Sequence, residues 1–341
     1  MRGVTTTLGR IDPPKTEDPS LADPEAPPSP RVLRELHRDL LAQKRRAFLT
    51  GSPLLLLALF AWMVAIMDPV RWGGLVLFAV TAVAGVGRIG YEWLTLRDAD
   101  PLTLYARERQ ADEERHQQQT EFLLRSGAVR PVVTISIVSC VVAVTIVQFA
   151  SGPIADSVTA AGLVKAAVRG GEWWRLLTAS YLHGSWFHIV ANATALMTLG
   201  RIIEIYDRRL RIPLVYAASA VGGSVLSTML FPTSSIGASG GVLGLAGYVF
   251  VVAGRDPNGT PAWLRKQMVS ILASTAVLGI AAFMFIDNAA HLGGALSGAA
   301  LGYAVCRWGA HRQREFDAAG LAATVVLAAG AVFTVTRLLF A

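Results

Sequence analysis

From residue 47 to residue 340 the chain repeats one pattern, in which apolar runs of spanning length are separated by shorter polar segments. A bilayer hydrocarbon core is about 30 Å thick and a helix rises about 1.5 Å per residue, so about 20 apolar residues cross it. The runs fall at 47–67, 73–91, 131–150, 185–203, 212–231, 237–253, 266–285, 288–306 and 318–340. The run at 237–253 is the shortest of them. Hydrophobic residues make up 53% of the chain and charged residues 16%, against about 25% charged in soluble domains. The spacing predicts an all-α polytopic membrane protein.

Between the runs the composition changes. Residues 1–30 are proline-rich with mixed charge and read as a disordered tail. "RVLRELHRDLLAQKRR" (31–46) reads as a basic juxtamembrane helix. "RDADPLTLYARERQADEERHQQQTEFLLRSGAVR", within 92–130, is too polar for lipid and predicts a helix-containing linker. The net charge of +7 does not indicate nucleic acid, because the arginines cluster in short loops, as topology signals do. "EIYDRRLRI", "GRDPNGTPAWLRK" and "CRWGAHRQRE" are basic, whereas "PTSS" and "IDN" carry no Lys or Arg. The positive-inside rule then places the basic loops, the tail and the linker in the cytoplasm. Asn258-Gly-Thr260 is formally a glycosylation signal, but this topology puts it inside. Cys140 and Cys306, the only two cysteines, lie at or within spans and read as small apolar fillers.

One feature exceeds what packing requires. The runs at 185–203, 237–253 and 288–306 all enter from outside, and each has a polar group near its outer end. These are His183, His188 and Asn192 in "HGSWFHIVANATAL", Ser239 in "GASGG", and His291, four residues after Asp287, in "DNAAHLGGALSGAALGY". The alternate runs at 131–150, 212–231 and 266–285 carry no His, Asn or charged residue in their outer halves. Polar groups inside a membrane are costly and usually functional. His188 and Asn192, four apart, share a helix face. A serine needs a base such as histidine to act as a nucleophile, and Asn with a second His supplies donors for a developing oxyanion. With no Asp or Glu in the outer half of any of these six spans, the expectation is a dyad. His183 and His188, five apart with no Glu between them, do not fit a zinc motif. Gly294, Gly298 and Gly302 form a seam that would bring this helix against the Ser239 helix.

These residues resemble the rhomboid family of intramembrane serine proteases. The resemblance covers about 131–306 and rests on "EWWRLLTASYLHGSWFHIVAN", on Gly237-Ala238-Ser239-Gly240, and on "AHLGGALSG". It implies a six-helix core at 131–306, to which this chain adds a transmembrane hairpin at 47–91 and, within 307–341, a seventh helix. It implies Ser239 as nucleophile and His291 as general base. It also implies His188, Asn192 and the Ser239 N–H as the oxyanion hole. Trp174-Arg175 resembles a motif of the long external loop, and Glu204 matches a glutamate at the inner end of the second helix; both read as structural. Where some members carry a tyrosine four residues after the serine, stacked on the histidine, this chain has Leu243.

The expected activity is hydrolysis of peptide bonds in or near transmembrane segments of other membrane proteins. No metal or organic cofactor is implied, and the expected partners are the lipid bilayer and transmembrane substrates. High Ala, Gly, Val and Arg content points to a bacterial inner membrane. Two other readings are an inactive rhomboid-like protein that binds membrane clients and a transporter. Inactive relatives typically lack the serine or the histidine, and a transporter would favour inverted repeats with charged midplane residues.

Overall fold

The computed structural model describes residues 101–255, 260–281 and 286–340, together with isolated helical positions at 34, 38, 42, 86, 90 and 94. Apart from those positions, the expected tail, juxtamembrane helix and 47–91 hairpin lie outside the described residues. Every regular element among the described residues is helical. They are α1 (Pro101–Ala128), α2 (Val132–Ser151), α3 (Ile154–Ala161), α4 (Lys165–Arg169), α5 (Arg175–Thr178), α6 (Trp186–Tyr206), α7 (Arg211–Leu230), α8 (Ser239–Val252), α9 (Ala262–Ala281), α10 (Asn288–Trp308) and α11 (Gln313–Phe340).

The chain divides into two units. The described part of the first is α1 as far as Gln119, a polar helix with exposed Glu113, Glu114, His116 and Gln117. The described part of the second lies within residues 120–340 and holds the helical bundle. Among the described residues five helices, α2, α6, α7, α10 and α11, are long and apolar enough to cross a membrane, and α8 is a shorter apolar helix. The protein is thus a multi-pass, all-α integral membrane protein.

The short helix is the innermost. Most of α8 is buried, with Leu245, Ala246 and Tyr248 at 1% exposure or less, although its residues are almost wholly apolar or glycine. A helix apolar all round belongs at the centre of a bundle. α8 packs between α7 and α10, with α9 and α6 also against it. The glycine seam makes this possible. A Cβ on Gly298 would lie 2.7 Å from Gly244 Cα, and one on Gly294 would lie 2.9 Å from Gly240 Cα. The expected contact between the two polar-tipped helices is therefore made backbone to backbone.

Side chains close the helix ends. Ser185 caps α6 by accepting from His188 N–H at 3.2 Å, and Asp287 caps α10 by accepting from Ala290 N–H at 3.0 Å. Such oxygens satisfy first-turn donors that have no intrahelical acceptor. Glu204 Oε1 accepts from the N–H and the Oγ1 of Thr134, at 2.8 and 2.7 Å, which ties α6 to the first turn of α2. Residues 152–185, between α2 and α6, fold into the small helices α3 to α5 around buried Arg175. Its guanidinium donates to Gly162 O and Thr159 O at 2.9 Å each and to Glu172 Oε2 at 2.7 Å. α11 braces this segment: Tyr181 Oη donates to Leu327 O at 2.7 Å, and Trp174 meets Phe333 edge to face with Arg337 over its ring.

Candidate active site

Ser239 opens α8, and His291 lies one turn into α10. Because the seam brings these helices into backbone contact, the two side chains meet: Ser239 Oγ and His291 Nε2 are 2.8 Å apart. Both residues are half-buried. His291 follows the start of α10 by three residues and Asn192 follows the start of α6 by six, so they lie about 4.5 and 9 Å below the helix ends. His291 thus sits one turn below the start of its helix, whereas Ser239 is the first residue of α8.

His291 Nδ1 is buried and makes no hydrogen bond, so no carboxylate orients the ring from behind. Among the described residues the imidazole's one hydrogen-bond contact is with Ser239 Oγ. Leu243, one turn after Ser239, is buried at 7% exposure and keeps that position apolar.

His188 and Asn192, four residues apart, share one face of α6, and His188 reaches the turn before Ser239. A Cβ on Gly237 would lie 2.9 Å from His188 Cε1 and 3.0 Å from its Nε2. Only glycine combines that close approach with the backbone found there, φ +142°. His188 is thereby held against the turn that leads into Ser239. Asn192 is 7% exposed, and its Nδ2 is buried without a hydrogen-bond partner. A buried amide donor with nothing to bond costs free energy, and such sites call for an explanation. The first-turn N–H groups of α8, Ser239's included, likewise have no intrahelical acceptor.

Behind them lies His183, fully buried. Its ring centroid is 5.0 Å from that of His188. The backbone N–H of Ala238 donates to His183 Nε2 at 3.5 Å, so Nδ1 carries the proton and donates to Thr145 Oγ1 at 3.0 Å. Gln148 fixes the backbone of His183 at both ends, accepting from its N–H at 2.8 Å and donating to its carbonyl at 2.9 Å. Burial pushes the His183 imidazole down to about 3, with neighbouring His188 pushing the same way and the Tyr181 carbonyl opposing. His183 is a neutral spacer between α2, the entry to α6 and the residue before Ser239.

Sequence reasoning missed a second polar cluster. Lys165, 1% exposed, donates from Nζ to Ser227 Oγ at 2.6 Å, Ser235 Oγ at 2.7 Å and Asp287 Oδ2 at 3.3 Å. Ser227 also donates to Asp287 Oδ2. Burial pushes the Lys165 ammonium below its ordinary value, while the charge and hydrogen bond of Asp287 draw it back up. Burial alone would raise the Asp287 carboxyl. Hydrogen bonds from Ser227 and Ser235, the Ala290 N–H and the Lys165 charge outweigh it and leave the carboxyl below the usual carboxylate range. The available signal was faint: Ser227 is one of several hydroxyl residues in its run, beside Ser224 and Thr228, and nothing local marks it as a partner of Lys165. Among the described residues no group of three His, Cys, Asp or Glu could hold a metal ion.

Fold and site together define a multi-pass membrane protein with a serine at the start of one helix in contact with a histidine one turn into another. Comparison with known proteins narrows the class. Residues 170–308 match the rhomboid domain family model. The chain is 34% identical over 155 residues to RHOMBOID-like protein 6, mitochondrial, of Arabidopsis thaliana, covering 45% of this chain and 50% of that one. It is 33% identical over 158 residues to rhomboid protease GluP of Bacillus subtilis, covering 46% and 31%. It is 28% identical over 160 residues to rhomboid protease AarA of Providencia stuartii, covering 39% and 56%. Over this segment the chain is therefore similar to the rhomboid family, and it matches about half or less of the length of most of these relatives.

Proposed function

We propose that the protein is an intramembrane serine protease that hydrolyses peptide bonds in or near transmembrane segments of other membrane proteins. The observation that carries this reading is the 2.8 Å contact between Ser239 Oγ and His291 Nε2, with His188 held against the turn that leads into Ser239. Ser239 Oγ attacks the scissile carbonyl carbon while His291 Nε2 takes its proton. The carbonyl oxygen becomes an oxyanion held by Asn192 Nδ2, the His188 ring and the Ser239 N–H. Collapse of the tetrahedral species breaks the C–N bond, and His291 gives the proton to the departing amine. A water molecule, deprotonated by His291, then attacks the acyl-serine and regenerates both residues.

The substrate helix must unwind where it is cut, because a helical peptide bond is shielded by its own turn. The basic loops place the N-terminal tail and the 92–130 linker in the cytoplasm and open the site to the external face. The composition fits a bacterial inner membrane. The test is reconstitution of the full chain in liposomes with a transmembrane substrate. Cleavage by the wild type that Ser239→Ala abolishes is the expected result. Undiminished cleavage by Ser239→Ala would overturn the nucleophile. No cleavage of any transmembrane protein by the wild type would favour the client-binding reading.

A further inference from the structure

We infer that Lys165 is a positioning residue that ties together the two segments carrying Ser239 and His291, and that Asp287 is its anchor on the histidine side. The inference rests on the serine–histidine reading above. A lysine ammonium has three protons to donate, and Lys165 directs its Nζ to three acceptors on three different segments. Ser227 is in the last turn of α7. Ser235 lies four residues before Ser239, in the turn leading into α8. Asp287 lies four residues before His291 and caps its helix. Two residues before Lys165, the backbone of Leu163 pairs with that of Ser235 in both directions, at 3.0 and 3.3 Å. Residues 163–165 therefore grip the approach to Ser239 by backbone and side chain together.

Asp287 divides its two oxygens between two tasks. Oδ1 accepts from Ala290 N–H in the first turn of α10, and Oδ2 accepts from Lys165 and Ser227. Capping alone would use one oxygen and could face solvent. Here the carboxylate is turned inward onto a buried cation whose side chain has no exposure.

This chain needs such a tether more than a three-residue relay would. His291 Nδ1 has no partner, and Leu243 supplies no flat ring, so the direction of the imidazole depends on where the first turn of α10 is held. A displacement of about 1 Å in a reacting group can cost 10²-fold in rate. Removing one partner of a buried ion pair strands the other charge, whereas removing both does not. That difference separates positioning from simple stability.

The experiment uses the full-length protein in detergent with three variants, Lys165→Met, Asp287→Asn and the double variant. Asparagine still caps a helix, so Asp287→Asn removes the tether and spares the cap. Measured are kcat and KM on a transmembrane substrate, melting temperature, and amide hydrogen exchange at Ala290 and His291 against residues 300–306. The double variant, free of stranded charge, should regain melting temperature, while its kcat stays about 10- to 10²-fold low with KM within twofold. Exchange at Ala290 and His291 should rise in Lys165→Met and in the double variant, with residues 300–306 unchanged. A double variant that regains kcat along with stability, or unchanged exchange at Ala290 and His291, overturns the inference. If the wild type neither cleaves nor reacts with a serine-directed probe, the catalytic reading fails, and exchange alone then decides whether the tether holds α10.

Discussion

Replacing Asn192 by alanine separates a donor to the transition state from a packing residue. The Nδ2 of Asn192 makes no hydrogen bond in the protein, so truncation breaks none. The remaining cost is a small space at a 7% exposed position, about 1 kcal/mol on the usual scale of single substitutions. The catalytic loss should be larger. Removing one donor from an oxyanion site lowers kcat by roughly 10²–10³, about 2.7–4 kcal/mol, with the low end expected if His188 shares the charge. KM should change little, because the bond strengthens mainly in the transition state. The assay is kcat, KM and melting temperature for Asn192→Ala, His291→Ala and the double variant on one transmembrane substrate in detergent. Asn192→Ala added to His291→Ala should cost less than the product of the single losses, since groups acting as a unit are non-additive. A clear fall in melting temperature with raised KM and intact kcat would refute the oxyanion assignment.

Three further outcomes are expected. Gly298→Val would drive a side chain into the backbone of Gly244, since even a Cβ would lie 2.7 Å from Gly244 Cα; overpacking of this kind costs about 1–3 kcal/mol or more, so melting temperature and activity should fall together, and a wild-type melting temperature would be the contrary result. His183 is held neutral, with its folded value near 3 below the ordinary 6.5; below about 6.5 the unfolded chain takes a proton that the folded one refuses, so stability falls with acidification at up to about 1.4 kcal/mol per pH unit, and His183→Gln should show a shallower acid-side loss of melting temperature than the wild type. Equal slopes would show that His183 titrates normally. Cleavage sites should lie near the external end of substrate helices, after a small residue, the expectation from the small residues Ala238, Gly240 and Gly241 that flank Ser239 in the sequence; mapped cuts on the cytoplasmic side or after bulky aromatics would contradict this.

The spans were legible because lipid leaves the backbone no partner but itself, so a run of apolar residues there must be helical. The run read at 212–231 is α7 at Arg211–Leu230, and the run read at 288–306 is α10 at Asn288–Trp308. Ends were less legible where polar residues belong to a helix. The described part of α9 begins at Ala262, four residues before the apolar run read at 266–285, and α11 begins at Gln313. The partnership of α8 with α10 could be read from Gly294, Gly298 and Gly302, since glycines four apart have one common use in such a helix. The Lys165 cluster could not be read, because its partners stand 62, 70 and 122 residues away on segments that only the fold brings together. The same holds for Thr145 and Gln148, whose partner His183 lies beyond a segment with no apolar periodicity long enough to announce its small helices.

The central claim is that His291 activates Ser239, and a fluorophosphonate tests it most directly, because phosphonylation requires an activated serine rather than any particular substrate. The folded wild type in detergent should gain one adduct, mapped by mass spectrometry to Ser239. Ser239→Ala should gain none, and His291→Ala should label at least a hundredfold more slowly, the scale of losing a general base. An adduct on another serine, or labelling of His291→Ala at the wild-type rate, would contradict the claim.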